Sequence, residues 1–442
     1  MPKISIIGFG RFGPVLYRLL KDDFEITVYD KDAPESLPAG AHVAGDLQAV
    51  YASDVIFYAV PIEAFEEVIA SHQKYFEPRH LLIDVLSVKM HAAAVFQKYL
   101  PKTGARAILT HPLFGPDSVG ESFANLTLVM DKFTADEETF DYWKKLFAKK
   151  GLNVVEMLPE EHDRMAANSQ GLTHFIGRLL DEYGFEPSPI DTAGAKKLLE
   201  VKEQVRHDTW QLFTNLQHYN PFTKDMRIRL GDVYDSLYNR LLPKQAHADF
   251  ITYGIQGGPG SFNEEAIRDY LSRAEPHAHE IKYLYTSERV LRALHAGEID
   301  KGQFAIHNSV GGIVGESLHA IAAHKFKIVE EFAIKISHAL MIRDDADVSE
   351  IDTVVSHPQV FAQCKDTLRV KYPRLKLVSG EGDRIDHALV AKDLAEGKLP
   401  KSTATMGSRI LSNMYGLKIV EDNLQDAQEN YTSFIIAARP NH

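Results

Sequence analysis

The sequence predicts an α/β protein of several domains, and three observations predict it. A strand, a glycine-rich turn, a helix and a second strand fill the first thirty residues. Residues 160–240 then carry apolar side chains at helical spacing, with little strand character. Strand-to-helix junctions resume after residue 250. A chain of 442 residues is long enough for about two to four domains.

Composition narrows the function classes. The hydrophobic share of 45% and charged share of 25% are ordinary for a folded protein. A net charge of −12 argues against non-specific nucleic-acid binding, and no run of about 18 apolar residues offers a membrane span. The single cysteine, Cys364, rules out an internal disulfide and fits a reducing compartment. With no charged and then apolar leader visible at the N-terminus, the expectation is a soluble cytoplasmic protein.

In the first domain, Ile4-Ser5-Ile6-Ile7 reads as a buried strand running into Gly8-Phe9-Gly10-Arg11-Phe12-Gly13. A helix follows, with Val15, Leu16, Leu19 and Leu20 on one face, and then a strand from Glu25 to Tyr29 that ends at Asp30. Glycines at this spacing let the backbone approach a pyrophosphate at a helix N-terminus, where amides and the helix dipole favour anions. The pattern predicts a Rossmann dinucleotide site built from Gly8, Gly10, Arg11, Phe12, Gly13 and Asp30. Asp30 can accept from a ribose 2′-hydroxyl and would repel a 2′-phosphate, which favours NAD, with NADP possible because Lys31 is adjacent. Further strands from Asp54 to Val60 and Leu81 to Asp84 place Val60, Pro61 and Ser87 around the same crevice. Ser87 can equally be a helix cap.

The strand Ala107-Ile108-Leu109 leads to Thr110-His111-Pro112-Leu113-Phe114-Gly115-Pro116-Asp117-Ser118. Two prolines and a glycine forbid helix there and predict a shaped loop presenting His111. A histidine so placed suits a general base, although a histidine satisfied in a turn is the plainer alternative.

The segments GFGRFG, DVLSVK and HPLFGPDS, in that order, resemble the prephenate and arogenate dehydrogenases of tyrosine biosynthesis. The resemblance extends through Glu161-His162-Asp163-Arg164, Thr173-His174, Gly177-Arg178, Asp208 and Tyr219-Asn220-Pro221, over roughly residues 1–245, and is closest to the plant-type arogenate branch. It implies a base, His111, that takes the ring-hydroxyl proton while hydride leaves the same carbon, followed by loss of carbon dioxide. It also implies that Ser87 hydrogen-bonds the base and the ring hydroxyl and fixes the imidazole tautomer, and that His174 lines the substrate end of the pocket. Many prephenate-using relatives carry an arginine a few residues before an Asp-Pro or Asn-Pro turn, whereas Thr214–His218 has none, and Asn215 stands near its place. Asp208 matches an acidic residue of the arogenate branch, where a carboxylate would attract an ammonium and disfavour a keto acid. A helix-capping role for Asp208 stays open. The helical region implies a homodimer by the same analogy.

After a polar linker, residues 243–249, strand character returns at Phe250-Ile251-Thr252-Tyr253. Four strand-to-helix junctions follow: Gly257–Phe262 with Ser261, His307-Asn308-Ser309-Val310-Gly311-Gly312, Ser356-His357-Pro358-Gln359 before Ala362-Gln363-Cys364, and Gly416-Leu417 with Asn423–Asp426 and Asn430–Phe434. Each can hold part of a small anion or can simply cap its helix. Together they resemble prephenate dehydratase over about 250–442, which implies two α/β subdomains of periplasmic-binding type with the site in the cleft. It implies a catalytic Thr432 that assists departure of the ring hydroxyl, and substrate contacts from Ser261, Asn308, Ser309, Ser356 and His357. Two departures stand out: the family's Thr-Arg-Phe is Thr432-Ser433-Phe434, and its Glu-Asn-Ser is His307-Asn308-Ser309. Loss of the arginine is expected to weaken substrate binding. No regulatory ACT domain is expected before residue 442.

The resulting organisation is 1–155 for the NAD-binding Rossmann domain, 156–242 for an all-helical substrate and dimerisation domain, and 250–442 for the dehydratase-like domain. Two functions compete. One is a tyrosine-branch dehydrogenase fused to a working dehydratase; the other is a dehydrogenase whose second half is a non-catalytic sensor of an aromatic metabolite. Small-molecule substrates are expected for both, with no nucleic-acid or membrane partner and no metal.

Overall fold

The computed structural model describes residues 2–32, 37–38, 41–379 and 387–440. It divides into two compact units, residues 1–232 and 233–442. The division falls inside the helix Thr223–Leu241, short of the 243–249 segment that the sequence marks as a linker. That segment is tied to the second unit, because Arg439 Nη2 donates to the Pro243 carbonyl at 2.8 Å and Asp300 Oδ1 accepts from the Ala246 amide at 2.7 Å.

The first unit holds eight strands among the described residues: β1 Lys3–Ile7, β2 Glu25–Tyr29, β3 His42–Val43, β4 Val55–Tyr58, β5 Leu81–Asp84, β6 Arg106–Pro112, β7 Thr127–Asp131 and β8 Asn153–Glu156. Their order is β3-β2-β1-β4-β5-β6-β7-β8, parallel throughout except for β6 against β7. Both faces are covered, which is why the central strands read as apolar runs. Ile56 and Tyr58 enter one core with Phe65 and Phe96, while Phe57 between them enters the other with Trp143. Chain direction along the sheet reverses between β2 and β4, either side of β1. This is the switch point where an open parallel sheet leaves a crevice at its carboxyl ends.

One local expectation is corrected. His111 stands within β6, paired with Val129 of β7, and the shaped loop begins only after Pro112. An antiparallel partner accepts a proline at a strand end because Pro112 still offers its carbonyl side, and the Leu113 amide closes the ladder on Thr127.

Beyond β8 the unit is helical: Pro159–Ala166, a π-helical turn Ala167–Gly171, Leu172–Glu182, Ala193–Arg206, Trp210–Tyr219 and the start of Thr223–Leu241. Helices Leu172–Glu182 and Ala193–Arg206 pack closely because Gly177 has no Cβ; one there would lie 2.8 Å from a Val205 methyl. The apolar stripe of Leu172–Glu182 is only partly buried, with Leu179 exposed.

The second unit contains two sheets. The first orders β10 His279–Tyr283, β9 Ile251–Ile255, β11 Lys301–Asn308, β19 Tyr431–Ala438 and β13 Lys327–Lys335, with β12 Gly312–Ile313 paired to β11. The second orders β16 Lys376–Ser379, β15 Thr353–Ser356, β17 Thr403–Gly407, β14 Ala339–Ile342 and β18 Lys418–Glu421. Each sheet has its own apolar core, so two α/β lobes make the unit. The chain crosses between them at 336–338 and returns through 422–430 into β19.

Candidate active sites

The glycine turn has the features of a dinucleotide cradle. Gly8 sits at φ +92°, and a Cβ there would lie 2.5 Å from the Ala59 carbonyl oxygen, so only glycine fits. A Cβ on Gly13 would come within 2.9 Å of the Gly8 carbonyl, whereas Gly10 faces open space. Asp30, at the end of β2, accepts from the Phe9 amide at 2.6 Å and from the Asp32 amide at 3.1 Å. The helix Gly13–Leu20 starts beside an open turn; Pro14 has no amide and the Val15 amide is paired with the Phe12 carbonyl, so an anion would be met by the amides of the turn itself, up to Gly13. Val60 and Pro61 follow β4 at the same sheet edge, the Val60 amide lying 3.0 Å from where a Gly8 Cβ would be. These residues fit a dinucleotide.

His111 is buried, and its Nδ1 lies 2.8 Å from His162 Nε2. His162 Nδ1 in turn lies 2.8 Å from Asp163 Oδ1. Asp163 is held in place because its carboxylate caps the helix Lys89–Tyr99, accepting from the Lys89 and Met90 amides at 2.8 Å each. That helix has no side-chain cap of its own at Val88. Asn220 Nδ2 secures the Asp163 carbonyl at 2.8 Å. The carboxylate can only accept, so a neutral His162 donates from Nδ1 and accepts at Nε2. His111 must then donate from Nδ1, which leaves its Nε2 with the lone pair. Burial, with the Lys89 ammonium adding, pushes the His111 pKa well below the ordinary histidine value.

Lys89 braces the same strand. Its buried ammonium pairs with Asp84 and also donates to the Thr110 carbonyl, one residue before the base. Asp84 accepts from the Thr110 amide at 3.2 Å.

Ser87 does not fix the tautomer. It is half-buried between β5 and the helix Lys89–Tyr99, and among the described residues no hydrogen bond joins it to His111; the Nδ1 partner is His162. Ser87 also does not cap, since Asp163 caps that helix from a distance of more than seventy positions in the chain. The cue for His162 was the adjacent His-Asp pair, whose spatial partner no local pattern predicts.

At the other end, His174 is buried, with Nδ1 3.6 Å from Asp208 Oδ2. Burial lowers its pKa against an upward pull from Asp208. Asp208 is not the helix cap: Thr209 is, accepting from the Leu212 amide at 3.1 Å. Arg178 Nη2 donates to the Asp208 carbonyl at 2.6 Å. Arg11, expected among the cofactor-binding residues, reaches across to Asp208 and Asp117. Phe12 makes a ring contact with Phe114 of the loop after His111, their centroids 6.2 Å apart.

In the second unit a cavity of about 380 Å³ opens between the lobes. Thr432, Asn308, Ala305 and Phe434 line one side, His357, Val360 and Gln363 the other, and His338 stands at the crossing. Asn308 Nδ2 donates to Thr432 Oγ1 at 2.8 Å and to Asn430 Oδ1 at 2.7 Å, while its Oδ1 receives the Val310 and Gly311 amides. The amide thus orients the Thr432 hydroxyl and leaves its proton available to the cavity. His338, which the sequence reading passed over, is buried with Nε2 2.6 Å from Gln363 Oε1.

Three expected substrate contacts lie outside this lining. Ser261 caps the helix Phe262–Arg273, accepting from the Glu264 amide. Ser309 Oγ donates to the Glu429 carbonyl at 3.0 Å and accepts from the Tyr431 amide at 2.8 Å. Ser356 is fully buried and donates to the Met406 carbonyl, stitching β15 to β17. Position 433 is a correction of a different kind. Strand pleating puts it on the face opposite Thr432 and Phe434, directly across from His307 in the β11–β19 register. The two departures from the dehydratase pattern therefore face one another on the sheet face turned away from the cavity.

A dinucleotide cradle beside a buried histidine relay, followed by a two-lobed α/β unit whose largely apolar cleft holds Thr432, Asn308 and His357, defines a nicotinamide-dependent dehydrogenase joined to a second small-molecule domain. Comparison with known proteins agrees. Residues 21–156 match the nucleotide-binding domain of prephenate dehydrogenase, 179–249 a TYRAAT1-like C-terminal domain and 253–442 prephenate dehydratase. Arogenate dehydrogenase 2, chloroplastic, of Arabidopsis thaliana is 34% identical over 250 residues, covering 54% of this chain and 70% of its own length. The bifunctional chorismate mutase/prephenate dehydratase of Enterobacter agglomerans is 29% identical over 193 residues, covering 44% of this chain and 48% of its own. Among solved structures, prephenate dehydrogenase from A. aeolicus in complex with hydroxyphenyl propionate and NAD+ is 18% identical with a TM-score of 0.44, covering 55% of this chain and 89% of that one. The chain belongs to the prephenate/arogenate dehydrogenase family and carries a prephenate dehydratase domain behind it. The chain spans about half the length of the dehydratase relative and 70% of the dehydrogenase. Among the described residues no helix is long and apolar enough to cross a membrane.

Proposed function

We propose that the chain is a bifunctional enzyme of aromatic amino-acid biosynthesis. Its first unit oxidatively decarboxylates arogenate, and to a lesser extent prephenate; its second dehydrates and decarboxylates prephenate to phenylpyruvate. The observation that carries the first assignment is the His111–His162–Asp163 relay beside the glycine turn.

His111 Nε2 takes the proton of the ring hydroxyl, and the positive charge that develops on the imidazole is stabilised through His162 by Asp163. When bound at Gly8–Gly13, the nicotinamide supplies the hydride acceptor. Loss of the ring carboxylate as carbon dioxide then leaves a phenol. Asp30 favours NAD, since its carboxylate suits a ribose hydroxyl and repels a 2′-phosphate. Asp208 and His174 form the substrate end, and the lack of arginine in 214–218 supports an amine-bearing side chain.

In the second unit Thr432, oriented by Asn308, donates to the departing ring hydroxyl while carbon dioxide leaves. This reading is favoured over a non-catalytic sensor because the threonine and its positioning amide both face the cavity, and the altered position 433 does not. Exposed Leu179, Tyr183, Ile190, Trp210 and Ile228 support a homodimer through the helical region. Cys364 is buried with its thiol pKa pushed up to about 12, so it is an unreactive packing residue.

Paired variants test the assignment. His111→Asn should abolish NAD-dependent turnover while NAD binding and dehydratase turnover persist; Thr432→Val should do the reverse. One variant silencing both activities, or neither, would refute the division of labour.

A further inference from the structure

Arg11 projects from the dinucleotide turn, but its contacts lie elsewhere. Nη1 donates to the His207 carbonyl at 2.8 Å and to Asp208 Oδ1 at 3.3 Å, and Nη2 reaches Asp117 Oδ2 at 2.5 Å. One guanidinium therefore links the glycine turn, the loop after His111 and the turn before the helix Trp210–Tyr219. Asp208 is otherwise faced by His174, whose burial favours the neutral form, and by Arg178, which donates to the Asp208 backbone carbonyl. Arg11 is thus the cation paired with the Asp208 carboxylate.

We propose that Arg11 is a shared counter-ion that couples dinucleotide binding to recognition of the substrate's amine. The proposal rests on the reading of Asp208 as the amine-facing group. Arg11 is 44% exposed in both ion pairs, with Asp117 50% and Asp208 19% exposed, and pairs that keep such access to water add little net stability. It springs from the turn fitted to a diphosphate, beside Gly10 and its open space. A planar guanidinium matches phosphate oxygens bidentately, so Arg11 has a stronger anion within its own loop than the two carboxylates it now bridges. As Arg11 turns to that anion, Asp208 loses its neutralising partner and takes a substrate ammonium instead. A keto acid offers no such replacement and gains only repulsion. By linkage, an amine ligand must tighten dinucleotide binding by the same factor.

The test is calorimetry on the full chain with L-tyrosine and with 4-hydroxyphenylpyruvate, the two products that NAD+ cannot oxidise further by this chemistry. Each is titrated with and without saturating NAD+. NAD+ should tighten tyrosine relative to the keto acid by about five-fold or more. Arg11→Gln should bring that factor to one, and so should Asp208→Asn, which serves even if the Arg11 variant binds NAD+ too weakly to saturate. Equal factors with and without NAD+ in the wild type, or full coupling in Asp208→Asn, would overturn the proposal. Arogenate turnover is measured alongside: a chain that turns it over without coupling loses only this inference, whereas a chain inert toward both substrates loses the dehydrogenase assignment itself.

Discussion

Nε2 of His162 lies 2.8 Å from Nδ1 of His111, and both rings are buried. The neighbouring ring is therefore what dictates which nitrogen of the base carries its lone pair. A group acting through the base in this way changes the rate without touching substrate. His162→Asn should lower kcat of the dehydrogenase by about ten- to a hundred-fold, with KM for NAD unchanged. Direct loss of the base in His111→Asn should cost about 10²- to 10⁴-fold. Equal kcat in His162→Asn and wild type, from steady-state kinetics at saturating substrates, would remove His162 from the relay.

The base also predicts a pH profile. Its pKa is lowered by burial, so the imidazole stays neutral, and competent, below the usual histidine range. The acid limb of kcat/KM should fall below pH 6.5, and Lys89→Met, which removes a nearby positive charge, should move it upward. An acid limb above pH 7 would contradict this environment.

Stability should respond to acid as well. His72, beneath Tyr51 in the first unit, has its pKa lowered to about 4 by burial. The unfolded chain binds this proton near pH 6.5 and the folded chain only near 4, so unfolding is favoured progressively as pH falls between those values. Thermal denaturation of His72→Gln should show a shallower loss of stability across that window than the wild type. An identical slope would show that His72 does not titrate on unfolding.

Ser433 gives a sharp test of side-chain direction. Because it faces away from Thr432, Ser433→Arg should leave dehydratase kcat/KM within about two-fold of wild type. Asn308→Ala, which releases the Thr432 hydroxyl, should lower kcat by about ten-fold or more, as expected for a lost positioning contact. A large gain in Ser433→Arg would mean that the side chain reaches the cleft.

These contrasts mark what the sequence could disclose. The glycine turn was readable because Gly8 and Asp30 act within thirty residues, and strand, turn and helix each leave a local signature. Thr432 and Asn308 were readable from motif resemblance, and the β11–β19 register brings them together. The His111 relay was not, since Asp163 caps a helix that starts at Lys89 and no periodicity joins the two. Ser261, Ser309 and Ser356 look alike as polar junction residues, and only the fold separates a cap, a loop clasp and a strand stitch from a cleft contact. Ser433 misleads for a simpler reason. Adjacent residues of a strand point to opposite faces, so a change beside a catalytic residue need not be a change in its site.

Product analysis on arogenate and on prephenate, each with and without NAD+, separates a bifunctional enzyme from a dehydrogenase that carries a sensor. Tyrosine should form from arogenate only with NAD+, and phenylpyruvate from prephenate with no cofactor at all. Absence of phenylpyruvate under both conditions, with NAD-dependent tyrosine formation intact, would contradict a bifunctional enzyme and leave the second unit as a sensor.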